Sequence, residues 1–327
     1  MSVTNTGRTG IIAAVPDDDL LRSTLRDQWH LVPAEITALP GGLLSHGWDV
    51  TAGGERFVAR LADPAARQPV EAGLAAAEHL RGTGIEAGEP VRTLAGGLTA
   101  ETPAGALAVL RRAPGRTLDG RDPIDQQFWG DRLGAVHKTL QGFHHPGLRR
   151  WNLLDPEATH LAIQPWLRPA VTEAVTAMTR LTVTDRLTYG VLHGDPAPEI
   201  FLVDPATGRA GLLDCGASGT GPLLYDVAAA VVYAGGTDTS AELLDGYLAA
   251  SPVAEDELHA ALPVLLRFRW AVQADWSARR LVRGEPLGGG SLGGEPLRGE
   301  PLRGDREGAR EALERAREAL AETTGAA

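Results

Sequence analysis

Two short apolar segments in this chain each run straight into an aspartate, and a hairpin pattern joins them. Tyr189-Gly190-Val191-Leu192 leads into His193-Gly194-Asp195, and Ala210-Gly211-Leu212-Leu213 leads into Asp214-Cys215-Gly216. Between them, Ile200-Phe201-Leu202-Val203 reaches a turn at Asp204-Pro205-Ala206-Thr207-Gly208, which reads as strand, turn and strand. Such a hairpin brings two carboxylates toward one another at an open sheet edge. Phosphoryl transfer uses that pairing: one acid orients an attacking hydroxyl and accepts its proton, and the other holds magnesium on the phosphates. Magnesium prefers hard oxygen ligands and commonly takes one or two carboxylates plus phosphate oxygens. Taken singly, either aspartate is an ordinary turn or cap residue; the constraint comes from the pair.

The 327 residues suffice for two lobes, each with its own core. A formal net charge of -11 repels nucleic acid phosphates and anionic membranes, so neither is an expected partner, while a cationic substrate is tolerated. The single cysteine, Cys215, excludes an intrachain disulfide and a cysteine-based metal cluster, and fits a reducing compartment. The apolar run Ile11-Ile12-Ala13-Ala14-Val15 is too short for a signal-peptide core, and no run reaches membrane-spanning length. The expected location is the cytoplasm. Lys138 is the one lysine, so any other cationic contact must come from arginine or metal.

Residues 1–19 read as a loosely ordered polar leader and 20–30 as a short helix. A glycine-bearing turn at Pro40-Gly41-Gly42 enters a strand through Ser45 and His46, and Gly53-Gly54 turns it back into Phe57-Val58-Ala59-Arg60-Leu61. Residues 69–82 read as a helix, 90–95 and 106–111 as strands, and Pro114-Gly115 as a lobe boundary. Helices are expected at 124–141, 165–181, 223–234, 239–250 and 258–282. Gly-Glu-Pro-Leu recurs from positions 284, 294 and 299, so 283–303 reads as a low-complexity flexible insertion. A charged helix at 305–322 follows, with Leu313 and Leu320 inward.

His193-Gly194-Asp195, Leu213-Asp214-Cys215-Gly216 and Gly221-Pro222-Leu223-Leu224-Tyr225-Asp226 together resemble the aminoglycoside phosphotransferase family. The turn at Pro40-Gly41-Gly42, the strand Phe57-Val58-Ala59-Arg60 and the helix bearing Leu133-Gly134-Ala135-Val136-His137 fit the same resemblance, which runs from about residue 37 to 282. It implies an α+β, protein-kinase-like bilobal fold: a small β-rich nucleotide-binding lobe over 20–113 and a larger, mostly helical lobe over 114–327 that carries catalysis and substrate. It also implies magnesium, ATP or GTP as phosphoryl donor, and a small hydroxylated acceptor such as an antibiotic, amino alcohol, sugar or biosynthetic intermediate. Asp195 takes the catalytic-base position and Asp214 the metal position. Arg60 stands where kinases place a lysine on the nucleotide phosphates; arginine binds phosphate in bidentate fashion but differs from lysine in reach. Glu71, in preference to Glu78, is the expected acidic partner of Arg60. With Arg60 on the next strand, the turn at Gly41 and Gly42 is placed to cover phosphates, with Ser45 and His46 near the nucleotide. His193 and Asp226 are expected to brace the structure, and Asp275 to wall the acceptor pocket.

The pattern breaks at one position. The family's metal-coordinating asparagine falls at Ile200, which has no ligand atom. Glu199, or the backbone turn before it, then replaces the missing ligand, with Pro196 and Pro198 stiffening the loop. The alternatives are a one-metal site and a degenerate, non-catalytic nucleotide or ligand binder. A kinase for peptide side chains is a third reading.

Overall fold

A tight turn at Gly53-Gly54 sets the frame of the first sheet. Both glycines have positive φ (60° and 81°), the backbone hand that matches strand twist in a two-residue hairpin. It joins β2 (Ser45–Ala52) to β3 (Glu55–Ala62), which pair along their full length from Ser45 opposite Ala62 to Ala52 opposite Glu55. With β1 (Pro33–Ala38), β5 (Ala100–Thr102) and β6 (Gly105–Arg111) they form an antiparallel sheet of order β1-β2-β3-β6-β5. The computed structural model describes residues 18–39, 45–113, 115–151, 154–184, 187–213, 217–283 and 306–324. Gly41, Gly42, Asp214, Cys215, residues 1–17 of the expected leader and 284–303 of the expected insertion lie outside the described residues.

The helices follow the sequence periodicity closely. They are α1 (Asp18–Trp29), α2 (Arg67–His79), α3 (Pro123–Thr139), α4 (Leu167–Thr182), α5 (Leu224–Ala234), α6 (Ala241–Ala250), α7 (Glu255–Arg283) and α8 (Arg306–Thr324). Helix α1 therefore includes Asp18 and Asp19, which read as leader; two acids in a first turn suit the positive end of the helix dipole. Helix α3 starts where Asp122 accepts the backbone N–H groups of Ile124 and Asp125, with Pro123 at the first helical position. Leu313 and Leu320 of α8 are buried. The expected strand at 90–95 is absent apart from a bridge between Pro90 and Leu110, since the polypeptide there serves as a loop closed on Thr93 and Gly97.

Two smaller sheets, unmarked by long apolar runs, tie the molecule together. Strands β4 (Ile85–Ala87), β7 (Arg116–Thr117), β10 (Phe201–Val203) and β11 (Ala210–Leu212) form one, in the order β4-β11-β10-β7. Its centre is the hairpin expected between the two aspartates, with Phe201 opposite Leu212. Strands β8 (Arg149–Arg150), β9 (Tyr189–Leu192) and β12 (Gly219–Pro222) form the other.

Two apolar cores result. The smaller joins α1 to the first sheet through Leu21, Leu25, Trp48, Phe57 and Leu107. The larger gathers α3 to α8 with β9 to β11, and it also takes in Ala76, Ala77 and Leu80 around the end of α2 and Ile85 of β4. The α2–β4 region thus packs on the large core although it precedes residue 114.

Candidate active site

The loop after β9 turns sharply at Gly194, whose φ of 88° favours glycine. A side chain there would also collide with the backbone carbonyl of Ala217. Asp226, in the first turn of α5, fixes this loop. Its Oδ2 accepts the His193 N–H at 2.6 Å, and its Oδ1 accepts the Gly194 N–H at 3.1 Å. The same Oδ2 lies 3.1 Å from His137 Nε2 of α3, and His137 Nδ1 lies 3.0 Å from the Tyr247 hydroxyl of α6. A carboxylate only accepts, so Nε2 donates to Asp226. Burial, reinforced by the negative Asp226, raises the Tyr247 pKa far above its ordinary value. Three helices thus converge on one buried carboxylate.

His193 makes the second tie. Its Nε2 donates to the Leu213 carbonyl at 3.0 Å, joining the loop to the end of the β10–β11 hairpin, one residue before Asp214. The bracing expected of His193 and Asp226 is therefore the geometry seen. Asp195 follows on the loop and is only 4% exposed. Its Oδ1 accepts the hydroxyl of Tyr233, and its carbonyl accepts the Ala197 N–H at 3.0 Å. Trp129 Nε1 holds the Pro196 carbonyl at 3.1 Å. Behind Asp195, Arg269 of α7 is 3% exposed. Burial opposes its charge, but Tyr225, Tyr233 and Asp195 around it raise its pKa overall. Burial also pushes the Tyr225 phenol up to about 12.

A single 3-10 turn over Pro198–Ile200 carries the two residues at the break in the family pattern. Ile200 points into the large core and is 1% exposed. Glu199 is half-buried, and its Oε2 is shielded from solvent with no hydrogen-bond partner among the described residues. Among the described residues no three His, Cys, Asp or Glu side chains converge as a metal cage. An orphaned, buried carboxylate oxygen is nonetheless a donor of the type magnesium takes, so Glu199 fits a metal ligand that shares its ion with other groups.

The other expected site residues lie on both lobes. Arg60 sits on β3, between Gly47 of β2 and Ala108 of β6. His46 and Ser45 lie at the start of β2, with His46 opposite Leu61. Glu71 of α2 accepts from Arg67 Nε at 3.0 Å and from Thr99 Oγ1 at 2.6 Å. Burial raises its pKa, but the Thr99 and Arg67 hydrogen bonds outweigh that and leave it lowered. Glu78 makes a two-armed contact with Arg92, at 2.8 and 2.6 Å. Asp275 of α7 is buried between His160 Nε2 at 2.6 Å and Arg279 Nη2 at 2.9 Å. Tyr233 and Arg269 have no counterpart in the sequence reading. Tyr233 alone had a local signal: it follows Asp226 by seven residues in the otherwise apolar run 224–234, so both share one helix face.

The structure superposes on solved small-molecule kinases across almost its whole length. It matches an amicoumacin kinase in complex with AMP-PNP, Ca2+ and Ami with a TM-score of 0.71 at 17% identity, covering 94% of each chain. A microcompartment-associated aminopropanol kinase gives a TM-score of 0.68 at 17% identity, over 94% of this chain and 97% of that one. A choline/ethanolamine kinase family protein from Mesorhizobium loti gives 0.64 at 18%, over 92% and 94%. At such identities the likeness establishes the protein-kinase-like fold. Comparison with curated protein sequences gives no significant match. The profile of the phosphotransferase enzyme family, APH, matches residues 35–262, more than half of the chain. The chain belongs to the aminoglycoside phosphotransferase (APH) family of phosphotransferase enzymes.

Proposed function

We propose that this phosphotransferase transfers a phosphoryl group from ATP or GTP to a hydroxyl of a small molecule, with Asp195 as the catalytic base. The observation that carries this reading is the fixed loop: Asp226 holds both backbone N–H groups before Asp195, so the carboxylate stands at a set position after β9. A general base needs such placement, because it must meet the proton it abstracts within hydrogen-bond reach. Asp195 orients the acceptor hydroxyl and accepts its proton at a carboxylate oxygen as the phosphoryl bond forms. Asp214 and Glu199 would hold magnesium, which would supply neutralising charge to the phosphates. Arg60, with the turn containing Gly41 and Gly42 and with Ser45 and His46 beside it, receives the nucleotide phosphates. Glu71 is proposed as the acidic partner of Arg60, and Asp275 as a contact of the acceptor.

The named acceptors of the similar structures support a small acceptor: amicoumacin, aminopropanol, and choline or ethanolamine. A chain of net charge -11 also suits a cationic amino alcohol or an antibiotic amine. No described helix is long and apolar enough to cross a membrane. Incubation with ATP or GTP, magnesium and an amino alcohol or aminoglycoside, followed by phosphorus NMR, tests the reading. A new phosphate-ester signal supports it; nucleotide that stays intact with every acceptor speaks against it.

One observation favours a second reading. Ile200 is a core residue, so the position cannot be rescued by a side-chain rotation. A nucleotide-binding homologue that does not turn over is the corresponding alternative, and it predicts binding of magnesium nucleotide without transfer.

A further inference from the structure

Helix α5 sends two side chains into the loop that carries Asp195. Asp226 takes the backbone of His193 and Gly194. Tyr233 lies seven residues on, two turns along the same face, and its hydroxyl donates to Asp195 Oδ1. We propose that Tyr233 is a positioning residue for phosphoryl transfer, its hydroxyl fixing the rotamer of the Asp195 carboxylate so that one helix sets both the backbone and the side chain of the base. The inference rests on reading Asp195 as that base.

The chemistry of the neighbours gives the hydrogen bond its direction. A carboxylate oxygen only accepts, so the phenol of Tyr233 donates its one proton to Asp195. Arg269 of α7 stands near both side chains, and its charge is favoured by them. Tyr233 is half-buried while Arg269 and Asp195 are buried. Without Tyr233 the Asp195 carboxylate loses one of the contacts that hold its rotamer, and the freedom gained must be lost again in every turnover.

The test uses the full chain with magnesium ATP, water standing in for the acceptor, together with crystal structures of the variants. For Tyr233→Phe, the expected result is an Asp195 carboxylate that leaves its wild-type rotamer or splits between rotamers. Hydrolysis should show kcat reduced about tenfold, with the KM for ATP unchanged within about twofold. In an Asp195→Ala background, Tyr233→Phe should cause no further loss, because the phenol acts only through that carboxylate. Arg269→Lys, which keeps the charge, should retain more activity than Arg269→Met. An Asp195 rotamer unchanged in Tyr233→Phe overturns the inference, as does an equal kcat loss in the Asp195→Ala background. If hydrolysis falls below detection, the rotamer comparison decides alone. Full hydrolysis by Asp195→Ala itself would overturn the base assignment, which separates that failure from a failure of Tyr233 alone.

Discussion

At the scale of single residues, two carboxylates beside the loop make opposite demands. Asp226 has its oxygens fully engaged by His193, Gly194 and His137. In Asp226→Asn an amide nitrogen must face a backbone N–H or the imidazole N–H, leaving a buried donor unmet. Removing one partner of such a charged network costs about 2–3 kcal/mol, so urea denaturation should show that loss together with reduced turnover; an unchanged midpoint would contradict the assignment. Glu199 is the reverse case, with a buried oxygen that nothing described satisfies. Glu199→Ala should leave the metal-free protein as stable or more stable, since an unpartnered buried carboxylate is costly. It should also raise the magnesium concentration for half-maximal turnover by about tenfold or more. Unchanged metal dependence would remove Glu199 from the site. The sequence exposed Asp195, Asp226 and Ile200 because each falls in a short local motif. It hid the Arg269–Tyr233 pair because those positions meet only when α5 and α7 pack.

At the scale of elements, two junctions carry the geometry. Arg116 of β7 grips Asp125 of α3 at 2.6 and 2.7 Å, and Asp125 also accepts the Asp119 N–H at 2.8 Å. The Arg116 hydrogen bond is the main cause that lowers the Asp125 pKa, against the effect of burial. A lowered carboxylate pKa stabilises the fold above the unfolded value of about 4 and is lost as pH falls through the folded value. Stability measured from neutral pH downward should therefore drop below about pH 4, and Asp125→Asn should remove that part of the slope. A variant with the wild-type slope would show the pair contributes nothing. The second junction is α3 on α6, where a Cβ at Gly130 would strike the Leu243 carbonyl. Gly130→Ala should cost about 1–3 kcal/mol by forcing the helices apart, read from the denaturation midpoint; a neutral effect would mean the helices shift freely. Helices were legible because their apolar spacing and caps are local. Strands β4, β7, β8 and β12 are two to four residues long and come together from distant parts of the chain, so no periodicity announces them.

For the whole molecule, the bilobal architecture was readable from the order of signals: a glycine-turned hairpin first, then helices, then two aspartates around a short hairpin. The division of the cores was less so. The α2–β4 region belongs by sequence to the first lobe, yet it buries alanine and isoleucine side chains in the larger core. That packing depends on small residues meeting distant partners, which spacing alone does not encode. The function turns on whether this assembled loop transfers phosphate. The most direct measurement is magnesium-dependent nucleotide turnover, with ATP and GTP separately, across hydroxylated antibiotics, amino alcohols and sugars, for the wild type and Asp195→Ala. Turnover should be stimulated by a particular acceptor class and fall at least about a hundredfold in Asp195→Ala. Nucleotide binding without turnover across the panel, or equal turnover in Asp195→Ala, would contradict it.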